Sequence, residues 1–96
     1  MRWVWTVEKN KINKKKHGLS FDTAQLVFDD PLALSKRDTH PEEERWQTVG
    51  VIGATVVLVV HTWPEDDSGT GEEVGRIISA RKATKYERRA YEEGNF

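Results

Sequence analysis

The stretch that most constrains this chain is Val56-Val57-Leu58-Val59-Val60, five apolar residues in unbroken succession inside Thr55 to Trp63. Side chains on a strand alternate between faces, so an uninterrupted run leaves neither face suited to water. It suits a central strand buried on both sides, or one with a helix-covered side. Such a strand needs partners. Arg45 to Ile52 precedes it, joined by Ile52-Gly53-Ala54-Thr55, a short hairpin connection. Val74 to Ala80 follows it, after an acidic turn from Pro64 to Glu73 that contains Gly69 and Gly71. Trp3 to Trp5 and Leu32 to Leu34 read as short strands, and Lys36 to Glu43 reads as a polar loop.

Three helices complete the pattern. Thr6 can cap the first, which has Val7 and Ile12 as apolar anchors and ends at His17-Gly18. Ser20 caps the second, whose Phe21, Ala24 and Phe28 form one apolar stripe before Asp29-Asp30-Pro31 stops it. Thr84-Lys85-Tyr86-Glu87 is a capping box that opens the third, which runs to near Gly94. The order predicts an α+β fold over residues 1–96 as one domain: a small antiparallel sheet with two N-terminal helices and one C-terminal helix. No cysteine is present, which excludes disulfides and thiolate zinc sites. No apolar run has membrane-spanning length and the N-terminal residues lack a signal-peptide core, so a soluble, cytoplasmic protein is expected.

The net charge of -1 argues against a nucleic-acid partner until it is divided along the chain. Arg2, Lys9, Lys11, Lys14, Lys15 and Lys16 against Glu8 give residues 1–17 a charge of +5. Arg76, Arg81, Lys82, Lys85, Arg88 and Arg89 against Glu87 give residues 76–89 the same. Acidic residues lie mostly between. A polyanion responds to a local patch and not to the total, so the blocks matter if folding brings them together; otherwise they are solvated faces.

Four features carry candidate chemistry. His17, after Lys14-Lys15-Lys16, can move a proton beside cations that hold a phosphate, or it can simply suit the helix dipole. Glu44-Arg45-Trp46 offers a guanidinium for phosphate and an indole to stack a base, or else a surface ion pair and a core tryptophan. Arg76 and Arg81 flank Ile77 to Ala80. In a regular strand they point to opposite faces, so they act together if a bulge intervenes or if Arg81 already lies in the strand–helix turn. Alternatively, they pair with the acidic 65–73 segment. On the last helix Lys85, Arg88 and Arg89 share a face, with Tyr86 and Ala90 on another. His40 and His61 are isolated, without metal-ligand spacing, and no metal or cofactor is expected.

Taken together, the motifs resemble the BrnT toxins, ribonuclease components of bacterial type II toxin–antitoxin systems. The matching stretches begin with Lys16-His17-Gly18-Leu19-Ser20-Phe21, Ala24 and Val27-Phe28-Asp29-Asp30-Pro31. They continue with Glu44-Arg45-Trp46-Gln47-Thr48-Val49-Gly50, Arg76 to Thr84, and Glu87-Arg88-Arg89-Ala90-Tyr91-Glu92. Trp5-Thr6-Val7-Glu8-Lys9 stands where the family commonly has Trp-Asp-x-x-Lys, and the acidic 64–73 segment is longer than usual. The resemblance implies a RelE-like fold, metal-independent RNA cleavage that arrests growth, and neutralisation by a BrnA-like antitoxin that supplies the DNA contact.

Metal-free cleavage of RNA uses its own 2′-hydroxyl as nucleophile. It needs a proton acceptor, a proton donor and cations on the phosphate oxygens. The expected assignment gives Arg45, Arg76 and Arg81 the phosphate, His17 the proton transfer with Glu44 as second choice, and Lys9, Lys14, Lys16, Lys85, Arg88 and Arg89 the RNA backbone. The rival is a non-catalytic module that binds nucleic acid or protein, including a decayed toxin that retains only its antitoxin contact.

Overall fold

The computed structural model describes residues 1–63, 65–66, 69 and 71–96. Its strands are β1 (Arg2–Val4), β2 (Leu34–Asp38), β3 (Arg45–Ile52), β4 (Thr55–His61), β5 (Glu65–Asp66) and β6 (Glu73–Lys82). Its helices are α1 (Val7–His17), α2 (Phe21–Ala24), which tightens into a 3-10 segment over Gln25–Asp29, and α3 (Lys85–Glu92). The sheet order is β1-β6-β4-β3-β2, with the short β5 also paired to β6. The apolar run therefore does lie at the centre, with two strands on either side. Val57, Leu58 and Val59 are all buried, as a strand covered on both faces requires.

Several expectations need correction. The sheet is mixed, because β1 runs parallel to β6 (Trp3 opposite Gly75) while the other pairings are antiparallel. Strand composition marks β1 but does not reveal the direction of a partner some seventy residues away. The second helix holds α geometry for four residues only, and Val27 is buried where Phe28 is partly covered. The polar loop begins later than its composition suggests, since Lys36, Arg37 and Asp38 pair with Gln47, Trp46 and Arg45. As an edge strand β2 keeps these polar side chains in reach of water. The acidic turn expected at 64–73 falls partly on Pro64, Asp67, Ser68 and Thr70, outside the described residues, and Glu65 and Asp66 pair with β6.

A bulge in β6 sets the distribution of side chains. Val60 lies opposite Ser79 and His61 opposite Ile77, which leaves Ile78 as the extra residue. The parity of the strand flips there, so Ile77 and Ala80 both enter the core with Phe21, Ala24, Val27, Val57 and Val59. Arg76 and Arg81 are turned together to the opposite face. That face also buries Leu58 and its register partner Val49, and it is the one α3 crosses against β3.

Helix α1 is attached by polar groups. Its single buried residue is Asn13, whose amide nitrogen donates to the carbonyls of Leu19 (2.9 Å) and Ala80 (2.8 Å). Asn13 Oδ1 accepts from Ala80 N–H at 3.1 Å. Asn13 thus acts as a one-residue strand on the part of the β6 edge beyond β1, satisfying both backbone groups of Ala80; leaving them unpaired would cost about 1–3 kcal/mol each. Asn10 Oδ1 in turn accepts from Phe21 N–H at 2.8 Å and ties α1 to α2. At the other end of β6, Gly75 is required by close approach. A Cβ there would collide with the ring of Trp3, which lies over Gly75 and stacks on Phe28 with centroids 3.8 Å apart.

Candidate active site

Two guanidinium groups meet on one carboxylate where β3 begins. Glu43 Oε1 accepts from Arg45 Nε at 3.2 Å and from Arg76 Nη2 at 2.7 Å. Arg45 opens β3, while Arg76 is brought from β6 across β4 by the sheet order. The backbone of Arg76 is fixed to Thr62, whose Oγ1 accepts from Arg76 N–H at 2.9 Å and whose N–H donates to Arg76 O at 2.9 Å. Glu43, Glu44, Thr62, Trp63 and Arg76 line an open cleft of about 320 Å³ beside this junction. Hydrogen bonds from Arg76 and Arg45 hold the Glu43 carboxyl below its ordinary range. It is therefore ionised. Glu44 lines the same cleft, so two carboxylates stand beside the two guanidinium groups, and Glu43 takes only part of the five N–H donors that each guanidinium has. The remaining donors are suited to an anion.

The second arginine of the β6 pair has a different setting. Arg81 donates through Nη1 to Glu87 Oε1 (2.7 Å) and through Nη2 to Oε2 (3.0 Å). Glu87 is also the acid of the α3 capping box, accepting from Thr84 N–H at 2.8 Å. The Arg81 hydrogen bonds lead in pulling the Glu87 carboxyl down to about 2, and Thr84 adds to the effect. This pair is charge-balanced and part of a helix start. Neither arginine pairs with the acidic segment among the described residues; there, Glu72 meets Arg2 at 3.6 Å.

Of the expected residues, the fold gathers Arg45, Arg76 and Glu44 in one place. Glu44 lines the cleft and also lies 3.6 Å from Arg37. His17 stands apart, exposed at the end of α1. It borders a groove of about 290 Å³ with Lys9, Lys16, Ile78 and Ser79, on the helix-covered side of the sheet. Lys14 is exposed on the same helix. Lys85, Arg88 and Arg89 are exposed on α3, which packs on β3, whereas α1 lies along the edge of β6. The two basic blocks are therefore carried on separate elements, and Lys82 of the second shares a hollow with His17 of the first near the end of β6. Tyr86 is mostly exposed, and Tyr91 turns inward in its place, donating to Asp30 Oδ2. Burial pushes the Asp30 carboxyl up, but hydrogen bonds from Tyr91, Val51 and Leu32 outweigh it and the net shift is downward.

The sequence reading missed two residues. Glu43 was hidden inside the supposed loop, and only the pairing of two distant arginines gives it significance. His61 was set aside as isolated, but it is fully buried and pinned between two partners. Its Nδ1 is 2.7 Å from Thr62 O, an atom that can only accept, so Nδ1 carries the hydrogen. Burial lowers its pKa and keeps the ring neutral, against the Thr62 bond. Nε2 must then accept from the Thr48 hydroxyl at 2.6 Å, and Thr48 Oγ1 from Ser35 Oγ at 2.7 Å. A directed chain runs from Ser35 through Thr48 to His61. Trp46, the expected stacking residue, packs at 4.8 Å from Trp63 and has its Nε1 buried without a partner. Trp63 is the more open ring, at 51% exposure.

The class in hand is a small α+β protein with an open cleft in which arginines and glutamates meet. The chain belongs to the BrnT family, described as the ribonuclease toxin BrnT of type II toxin–antitoxin systems, whose family model matches residues 5–87. The match contains every candidate residue except Arg88 and Arg89. Membership makes the chain a ribonuclease toxin with RNA as target and an antitoxin protein as partner. No curated protein matches it. No helix among the described residues is long and apolar enough to cross a membrane.

Proposed function

We propose that this toxin is a metal-independent endoribonuclease that arrests growth in the cytoplasm and is neutralised by a BrnA-like antitoxin, through which alone it contacts DNA. The observation that carries this reading is the convergence of Arg45 and Arg76 on a single oxygen of Glu43 beside an open cleft. A phosphodiester entering there exchanges with Glu43 for the arginine N–H donors. Charge building on its non-bridging oxygens is then stabilised by groups already in position. Glu44, which lines the cleft, takes the proton of the attacking 2′-hydroxyl, since the Glu43 carboxylate is engaged by both arginines. The new bond joins the 2′ oxygen to phosphorus and the bond to the 5′ oxygen breaks. The products are a 2′,3′-cyclic phosphate and a 5′-hydroxyl, protonated by water in the open cleft. Arg81 holds α3 in place, and His17, with Lys9, Lys14 and Lys16, borders the path of the RNA along α1. Lys85, Arg88 and Arg89 reach the same strand near the end of β6. Helices packed on a small sheet support a RelE-like reading of the fold.

One observation favours the alternative of a binding module or a decayed toxin: Glu43 already occupies an N–H donor of each arginine. Induced expression separates the two. Growth arrest rescued by the neighbouring reading frame supports the toxin, and indifference supports the binder. Purified chain should cut RNA equally with and without chelator; loss of cleavage in chelator would overturn the metal-free mechanism.

A further inference from the structure

Beside the arginine cleft, and sharing Trp63 with it as a wall, lies a smaller hollow of about 150 Å³ walled by Trp3, Phe28, Ser35, Thr48, His61 and Trp63, with Met1 and Glu73 completing its lining. We propose that this hollow receives one nucleobase of the RNA whose phosphate lies on Arg45 and Arg76. The assignment rests on the ribonuclease reading only for the identity of the polyanion.

Four features of the hollow support it. Its size falls well below the roughly 300–1,000 Å³ of clefts that enclose a drug-sized ligand, so it admits a flat ring and leaves ribose and phosphate outside. Its walls are aromatic. Trp3 and Phe28 are stacked on each other, and both meet the His61 ring edge-on, at 5.0 and 4.9 Å. Trp3 and Phe28 are the more enclosed rings, whereas Trp63, tilted against Trp46 at 4.8 Å and against His61 at 6.1 Å, keeps about half of its surface in solvent and is the ring a base can reach. The location also fits. Trp63 directly follows Thr62, the residue that fixes the backbone of Arg76, so the stacking plane and the anion site are set by adjacent residues of one chain segment. Finally, the hollow can read a base edge. The Ser35 hydroxyl hydrogen is spent on Thr48, because Thr48 must donate to His61. Ser35 is itself exposed and presents only lone pairs outward, so it accepts from a ring N–H or amino group.

The test is binding of nucleoside 3′-monophosphates to the full chain, followed by the four indole N–H signals in NMR, with ribose 5-phosphate as the base-free control. The nucleotides should bind about 5- to 100-fold more tightly than the control, the range of base–aromatic stacking. They should shift the signal that Trp63→Phe removes. Trp63→Ala should abolish the advantage over ribose phosphate, while Trp63→Phe, a conservative variant that keeps a ring, should retain part of it. Ser35→Ala should weaken the nucleotides without affecting ribose phosphate. Equal binding of nucleotide and ribose phosphate overturns the proposal, and so does unchanged nucleotide affinity in Trp63→Ala. Because binding is read without cleavage, the two readings fail separately. Nucleotide binding without RNA cleavage removes the ribonuclease mechanism and leaves the pocket. Cleavage that is indifferent to Trp63→Ala removes the pocket and leaves the mechanism.

Discussion

Arg76 and Arg81 lie on the same strand and the same face, each within 2.7 Å of a glutamate oxygen, yet their settings differ. Arg81 has a carboxylate of its own, held two-pronged, and that carboxylate also caps α3. Arg76 shares one oxygen with Arg45, and at 43% side-chain exposure it faces an open cleft. Ion pairs by themselves are therefore poor guides to function. What distinguishes them is how the guanidinium is used: Arg81 is held two-pronged by a carboxylate that also caps a helix, whereas Arg76 gives one N–H to a carboxylate it shares with Arg45 and stands beside an open cleft.

The largest effect should come from the shared junction. Arg76→Ala or Arg45→Ala should lower RNA cleavage about 100- to 1,000-fold, as expected for loss of one preorganised donor to a transition-state oxyanion. Thermal unfolding should show little change. Full cleavage by both variants would end the assignment. Arg81→Ala should do the reverse. It strips Glu87 of its partner and loosens the start of α3, costing about 1–2 kcal/mol by urea denaturation, on the scale of a lost helix cap. Cleavage measured where the variant is folded should stay within about tenfold of wild type. A collapse of activity at unchanged stability would place Arg81 at the reacting phosphate after all.

The same contrast should appear in acid. The Glu87 carboxyl is held at about 2 against an ordinary 4.5, so its ionised form belongs to the folded state. The stability it supplies is complete above about pH 4.5 and is lost as pH falls towards 2. Urea midpoints across that window should decline less steeply in Glu87→Gln than in wild type, and equal slopes would refute the coupling. The smallest effect is expected at Glu43. Glu43→Gln removes the carboxylate that competes with substrate, so inorganic phosphate should bind a few-fold more tightly in calorimetry. Weaker binding would mean that Glu43 positions the arginines more than it obstructs them.

Much of the fold was legible because local chemistry dictated it. The bounds of β3, the turn at Gly53 (φ 61°), the Thr6 and Ser20 caps and the Thr84–Glu87 capping box all follow from residues within a few positions of one another. The bulge at Ile78 was legible only as one of two conditions, the other being that Arg81 left the strand for the turn; Arg81 stays within β6. Less of the site could be read. Glu43 looked like any loop acid, and His61 like a lone histidine, until Arg76, Thr48 and Ser35 were brought to them from other strands.

The sequence by itself determined the central strand, the helix ends, the family and the presence of two basic blocks, since composition and spacing act over short range. Tertiary pairing decided that α1 lies along the edge of β6 while α3 packs on β3, that β1 runs parallel to β6, and that two arginines thirty-one positions apart share one carboxylate. Those outcomes depend on strand order and on a one-residue change of parity in β6, which are properties of pairing between distant segments.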